Sequence, residues 1–133
     1  MLDYPPKIIL AFGETFTDEG EEFFKWLLEN GYPELAALSS GIRGSHEAIN
    51  WLIKNKFPQL AALDGAIDNK PEAKQWLIDY DFKLLVLLAD AVNKNPHAIA
   101  ALKENELDIF ILLADKIRHF RDNQTFDYHK LHW

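Results

Sequence analysis

The chain has 133 residues, of which 48% are hydrophobic and 26% are charged, with a formal net charge of −7 and no cysteine. This length and composition predict one globular domain over residues 1–133, and the lack of cysteine excludes a disulfide framework, a thiolate metal site and a cysteine nucleophile. An acidic chain without a basic stripe argues against nucleic-acid binding, and no apolar run reaches the ~20 residues of a membrane-spanning helix, so we expect a cytoplasmic protein that binds neither nucleic acid nor a membrane.

The first predicted element is a helix within residues 6–19, which begins at the Pro5-Pro6 pair. Proline suits the first position of a helix because its missing N–H has no partner to lose there. In the acidic run that follows, Asp18 stands three residues before Glu21, a spacing that is typical of a capping box at the start of a helix. A second helix is therefore predicted to begin close to this run.

From there the chain repeats one unit of 25 residues four times. The sequence WLLENGYPELAAL, which begins at Trp26, returns almost unchanged as WLIKNKFPQLAAL at Trp51. The copies span residues 20–44, 45–69, 70–94 and 95–121, and residues 6–19 form half of an earlier copy. Four series of residues keep this spacing: Trp26, Trp51, Trp76 and Ala101; Leu27, Leu52, Leu77 and Leu102; Leu38, Leu63, Leu88 and Leu113; and Ile42, Ile67, Val92 and Ile117.

Each copy divides into two short helical patterns. The apolar side chains of residues 45–55 fall on one side of a 3.6-residue helix, and residues 58–68 form a second such pattern that starts at a proline. Because only about two residues separate the halves, the two helices must fold back on each other as a hairpin. Helices of about ten residues are marginal alone in water, whereas hairpins stacked in a row share one continuous core.

We therefore predict an all-α fold, a right-handed α–α superhelix (solenoid) of about four and a half short helical hairpins and about nine helices. The pattern resembles the broad class of helical-hairpin repeat proteins, and the resemblance covers residues 6–121. The 25-residue unit is shorter than the tetratricopeptide, ankyrin and HEAT units and carries the motif of none of them. The resemblance therefore implies an architecture and assigns no functional residue.

Two aromatic features accompany the repeat. The indoles of Trp26, Trp51 and Trp76 suggest a cage for a cation, but their place directly before a leucine series favours a position in the core. The tail, residues 122–133, breaks the period and is rich in aromatic residues. We expect it to fold back and cap the last hairpin, and the alternative is an exposed peptide that binds a partner.

Two patterns in the sequence suggest chemistry. Asp127, His129 and His132 in the tail have a spacing that can hold a metal if the segment is helical. A column of equivalent polar positions, including Asp90 and Asp115, predicts carboxylates ~10 Å apart on neighbouring repeats, a gap like that between the two acids of an inverting glycosidase. A solvated surface explains both patterns, and no nucleotide-binding or hydrolase motif is present, so we expect no catalytic residue, no metal and no cofactor.

The leading interpretation is a scaffold that binds a protein or peptide on one face of the stack, because solenoids present extended surfaces. The net acidity favours a basic or neutral partner, and we expect a monomer or a weak homodimer. The alternatives are a structural domain that assembles with copies of itself, and an enzyme that uses the tail histidines or the acidic column. The candidate binding residues are Glu14, Ser40, Arg43, Asp64, Asp68, Asp90 and Asp115.

Overall fold

The computed structural model describes the backbone of residues 3–131 and the side chains of residues 3–123. This part of the chain forms nine helices and no strand, so the predicted all-α hairpin repeat is confirmed. None of these helices combines the length and the hydropathy that crossing a membrane requires. The helices are α1 (Pro6–Glu14), α2 (Gly20–Glu29), α3 (Pro33–Ile42), α4 (His46–Lys54), α5 (Pro58–Ile67), α6 (Pro71–Asp79), α7 (Lys83–Val92), α8 (Pro96–Glu104) and α9 (Asp108–Leu131).

The odd-numbered helices form an inner ring. Each of them packs against the next, from α1 through α3, α5 and α7 to α9, and α9 returns to pack against α1. The even-numbered helices lie outside this ring, each in the groove between two successive inner helices. Burial agrees with this division, since α1, α3, α5 and α7 each have five buried residues and the outer helices have one or two. The stack of hairpins is therefore closed on itself.

Most helices begin where the repeat predicts. Proline occupies the first turn of α3, α5, α6 and α8, and the side chains of Ser45 and Asn95 cap α4 and α8 by accepting hydrogen bonds from backbone N–H groups. The predicted capping box is wrong, because α2 begins at Gly20 without a side-chain cap. A β-carbon at Gly20 would stand 2.2 Å from the carbonyl oxygen of Thr15, so this close backbone approach requires glycine where the helix starts.

Every outer helix ends in the same turn. In each, the large apolar residue that follows the turn donates its backbone N–H to the carbonyl of the repeated leucine, as Phe57 does to Leu52 (N···O 2.8 Å). This bond is the longer one of a Schellman motif, which requires a left-handed residue just before its donor. Those left-handed residues are Gly31, Lys56, Asp81 and Glu106, with φ of 86°, 71°, 64° and 57°.

The tryptophan series is not part of the buried core. Trp26 and Trp76 are half-buried against it, and Trp51 is 37% exposed. The leucine that follows each tryptophan is completely buried. The core prediction was therefore only partly correct: an outer helix presents one narrow stripe to the ring, the leucine occupies its centre, and the tryptophan lies about 100° away. Trp51 and Trp76 instead stack on the apolar residue of the turn, Trp76 on Phe82 at 5.8 Å between ring centroids.

The last inner helix also covers one end of the ring. Phe120 in α9 lies 5.8 Å from the ring of Phe16 after α1 and 4.9 Å from the guanidinium carbon of Arg43 after α3. Arg121 donates to the carbonyl of Ile67 at the end of α5 (3.1 Å). Phe120 and Arg121 thus close the end where the inner helices finish. The tail predicted to cap the last hairpin spans residues 122–133, and the side chains of residues 124–133 lie outside the described residues.

Candidate functional site

Three of the seven predicted binding residues are carboxylates that the protein itself neutralises. The pairs are Glu14 with Lys116, Asp90 with Lys74 (Nζ–Oδ1 2.9 Å) and Asp115 with Arg118. The hydrogen bond from Lys116 holds the pKa of Glu14 below its usual range, with the Lys116 charge acting in the same direction against partial desolvation. The acidic column is therefore a set of ion pairs, and only Asp115 among its carboxylates is exposed.

Asp64 and Asp68 lie together at the end of α5. Asp64 is half-buried and Asp68 is exposed. The pKa of Asp64 is raised to about 6, chiefly by burial and also by the negative charge of Asp68, while the positive charge of Lys70 acts in the opposite direction. Asp64 thus changes its protonation state close to neutral pH, although the pKa of an isolated carboxylate pair is not by itself evidence of catalysis.

Ser40 and Arg43 border a shallow cleft between α2 and the end of α3. Its volume is about 340 Å³, and Thr15, Gly20, Glu21 and Phe24 form its other walls together with Ser39. The guanidinium of Arg43 donates to the carbonyl of Thr15 and lies over the ring of Phe120. Arg43 therefore holds the ends of α1, α3 and α9 together.

The tail residues whose spacing could hold a metal, Asp127, His129 and His132, lie outside the described side chains. Among the side chains that are described, no group of three His, Asp or Glu residues is placed to hold a metal ion. In this part of the chain, no titratable side chains converge in a way that would support the enzyme alternative.

A larger cleft, which the sequence did not predict, lies between α1 and α2. Its volume is about 680 Å³. Leu10, Ala11, Phe23 and Trp26 form its apolar walls, with carboxylates of Glu14, Glu19 and Glu22 around them. The ammonium of Lys7 stands 5.9 Å from the centre of the Trp26 ring, within the range of a cation–π contact.

The cleft opens because α1 and α2 carry large residues at positions that are small in α5 and α6. Phe23 occupies the position of Ala48, Ala73 and Ala98, and Glu14 occupies the position of Gly65. At the equivalent place between α5 and α6, a β-carbon on Gly65 would stand 2.7 Å from that of Ala73, so those two helices are in close contact. Phe23 is the only large residue in a series that otherwise holds alanine. This difference was the one feature of the sequence from which the cleft could have been predicted.

A second surface lies where the ring closes, and we call it the junction groove. It is formed by Leu10 and Gly13 of α1 and by Ile109, Leu112 and Lys116 of α9. Leu10 is 44% exposed and Leu112 is 43% exposed, while the seam beneath them encloses only about 10 Å³ and is closely packed. Among residues 3–131, no outer helix lies over this groove, although each of the other four grooves of the ring holds one.

Among the described side chains, the other large exposed apolar ones lie on the outer helices or, at Tyr80, directly after one. Leu28, Ile53 and Ile78 occupy one position of the repeat and are 47%, 55% and 51% exposed. They lie on α2, α4 and α6, which do not pack against one another. These residues are therefore separate exposed side chains, of the kind that is normal on protein surfaces, and they provide matched controls for the junction groove.

No family model, no curated protein and no solved structure matches the chain. Of the surfaces described, the junction groove is the one at which the repeat itself leaves apolar side chains without the cover that their equivalents have.

Proposed function

We propose that this chain is a protein-binding repeat module whose partner docks on the junction groove between α1 and α9. The observation that supports the proposal is the exposure of Leu10 and Leu112 at the same groove. Full burial of an exposed leucine side chain contributes about 1.5–3 kcal/mol, and Leu10 and Leu112, which are 44% and 43% exposed, would each contribute roughly half of that. Two of them at one site supply the apolar centre on which the affinity of a protein interface depends.

The surroundings of the groove favour a basic or neutral partner. Glu19 and Glu22 are exposed on α2, and both line the cleft that adjoins Leu10. The chain as a whole carries a net charge of −7. Complementary charge speeds association and selects partners more than it adds affinity, so the acidic surface accounts for partner choice and the two leucines for affinity.

This proposal moves the binding surface away from most of the residues predicted from the sequence. Glu14 borders the groove through its ion pair with Lys116, whereas Arg43, Asp90 and Asp115 make contacts within the protein. No catalytic residue, metal or cofactor is part of the proposal. Self-assembly remains the competing function, and the same experiment separates it from partner binding.

Photo-crosslinking tests the proposal. A photoreactive amino acid placed at position 112 of the full chain is expected to capture a partner in extracts of the native cells, and the same amino acid at position 53 is not. Leu10→Lys should abolish the capture at position 112, because a charge then occupies the apolar centre, and Leu28→Lys should leave it intact. Equal capture at positions 112 and 53, or capture that survives Leu10→Lys, would contradict the proposal. Capture of a second copy of the chain would assign the surface to self-assembly.

A further inference from the structure

The four filled grooves of the ring define what the fifth would accept. Each filled groove holds a helix of nine or ten residues whose repeated leucine is completely buried. In three of the four helices an alanine stands four residues before that leucine, on the same side of the helix. Ala73 shows why the residue is small, because a β-carbon on Gly65 of the neighbouring inner helix would stand only 2.7 Å from the β-carbon of Ala73.

The junction groove is equivalent to these grooves residue by residue. Leu10 corresponds to Ala61 and Val86, and Leu112 corresponds to Ala62 and Leu87. All four counterparts are at least partly covered, since an outer helix lies beside them. Leu10 and Leu112 differ from their counterparts in lacking that helix.

The described chain does not supply the missing helix. In the other repeats a left-handed residue turns the chain from the inner helix into the next outer helix, and these residues are Gly44, Asn69 and Lys94. Their equivalent is His119, which lies inside α9. Because α9 continues without a turn to Leu131, the chain leads away from the groove instead of folding back over it.

We propose that the junction groove binds an amphipathic α-helix of a partner protein, nine or ten residues long, with alanine and leucine four residues apart on its inner face and basic residues on the flank that faces α2. This inference rests on the proposed function and names the partner's chemistry. The basic flank follows from Glu19 and Glu22, which line the cleft next to the groove. A second copy of the chain is a poorer occupant, because each copy carries a charge of −7 and its own outer helices are already packed.

The pair of Lys74 and Asp90 shows that a basic residue suits such a helix. Lys74 on the outer helix α6 reaches the carboxylate of Asp90 on the next inner helix (2.9 Å). The position of Asp90 in α1 is held by Glu14, which here accepts from Lys116 of α9. A lysine of the docked helix is therefore expected to join this pair or to reach the carboxylates of α2.

A peptide with the sequence of residues 45–57 is a suitable probe, since it contains Ala48, Leu52 and two lysines. His46 and Asn50, both exposed in α4, are replaced in the peptide by lysine and aspartate, and a lactam bridge between these two side chains keeps the short peptide helical. Titrated into the uniformly ¹⁵N-labelled full chain, the peptide is expected to shift backbone amide signals of α1 and α9. The same peptide with Leu52→Asp should shift none of them.

Variants of the full chain locate the contact. Leu10→Lys with Leu112→Lys is expected to weaken binding at least about tenfold, the equivalent of about 1.4 kcal/mol, whereas Leu28→Lys with Ile53→Lys should leave binding unchanged. Circular dichroism melts test whether each variant folds. If the double lysine variant does not fold, Leu112→Ala replaces it, and this single variant is expected to weaken binding about threefold.

Four outcomes would overturn the inference: no shifts at about 1 mM peptide, shifts centred on α4 and α6, a concentration-dependent dimer that the lysine variants abolish, or binding that appears only after truncation at Asn123. The third outcome would assign the groove to a second copy, and the fourth to the chain's own tail. A partner captured at position 112 together with no peptide binding would leave the proposed function standing and remove the helical partner.

Discussion

Lys116 in α9 forms an ion pair with Glu14 in α1, 102 positions earlier, and this pair joins the last inner helix to the first. In α7 the position of Glu14 is held by Asp90, whose partner Lys74 comes from the outer helix α6. In α7 the carboxylate at this position thus pairs with a lysine of an outer helix, whereas in α1 it pairs with a lysine of an inner helix. The difference follows directly from the missing fifth outer helix.

Removing either member of the junction pair is expected to weaken the ring only slightly. Glu14→Gln and Lys116→Met should each lower the free energy of unfolding by about 0.5–1 kcal/mol, since both side chains are partly exposed. Urea unfolding at pH 7 measures the loss, and the double variant should cost less than the sum of the two. Lys83→Met is the control, because the pair of Lys83 and Asp81 is long and highly exposed, and it should change nothing measurable.

The same pair has a defined pH dependence. The pKa of Glu14 is lower in the folded state than its ordinary value of 4.5, so its stabilisation is complete above pH 4.5 and is lost as the pH falls through the folded pKa. The difference in stability between the native chain and Glu14→Gln should therefore be constant from pH 5 to pH 7 and shrink at more acidic pH. A difference that grows on acidification would contradict the ion pair.

Asp64 should behave in the opposite way. Its pKa is raised from 3.8 to about 6, chiefly by burial, so the folded state binds the proton more tightly than the unfolded state does. The charged form therefore costs stability at pH 7, and this cost disappears as the pH falls through about 6 towards 3.8. Asp64→Asn is expected to raise the melting temperature at pH 7 and to have little effect at pH 4.

Asp68→Asn provides the comparison for this measurement. Removing the neighbouring charge should lower the pKa of Asp64 towards its ordinary value, because that charge is the second cause of the shift. Its stabilising effect at pH 7 is expected to be smaller than that of Asp64→Asn, since burial remains. An Asp64→Asn effect that is equal at pH 4 and pH 7 would rule out a raised pKa in the folded protein.

Trp51 and Leu52 are neighbours in the sequence with very different burial. Truncating each to alanine should therefore distinguish the core role of the leucine from the surface role of the tryptophan. Leu52 is completely buried, so Leu52→Ala is expected to cost about 3–4 kcal/mol. Trp51 is 37% exposed and stacks on Phe57 at 6.4 Å, so Trp51→Ala should cost no more than about 1–2 kcal/mol. Chemical denaturation measures both values, and a tryptophan variant that loses more than the leucine variant would place the indole in the core.

Local patterns in the sequence predicted the helices, the hairpins and the buried leucine series, because each depends on contacts within one repeat or between neighbours. Closure of the ring depends on the small rotation from one repeat to the next, summed over the whole stack. No single copy records that sum, so Leu113 looks the same in an open stack and in a closed one. The clues to the junction were the half copy in residues 6–19 and the missing turn at His119.

The candidate site was harder to predict for a related reason. Sequence equivalence placed Asp90 and Asp115 in one column with Glu14, but it could not show that each one finds a basic partner of its own. Leu10 and Leu112 looked like ordinary members of an apolar pattern, and only the absence of a covering helix distinguishes them. A surface that is defined by a missing neighbour requires the three-dimensional arrangement to be seen.

The left-handed turn residues give the last prediction. Lys56, Asp81 and Glu106 hold φ between 57° and 71°, a conformation that costs an L-residue other than glycine roughly 1 kcal/mol. Replacing each of them with glycine should therefore raise the free energy of unfolding by about 0.5–1 kcal/mol, after allowance for the greater freedom of glycine in the unfolded chain. Each should raise the melting temperature by about 2–4 °C, and Gly31→Ala should lower it, because Gly31 occupies the same turn at φ 86° with open space around its α-carbon. Differential scanning calorimetry of the four variants measures both directions. If the three glycine variants melt below the native chain while Gly31→Ala melts above it, the repeated turn does not have this geometry.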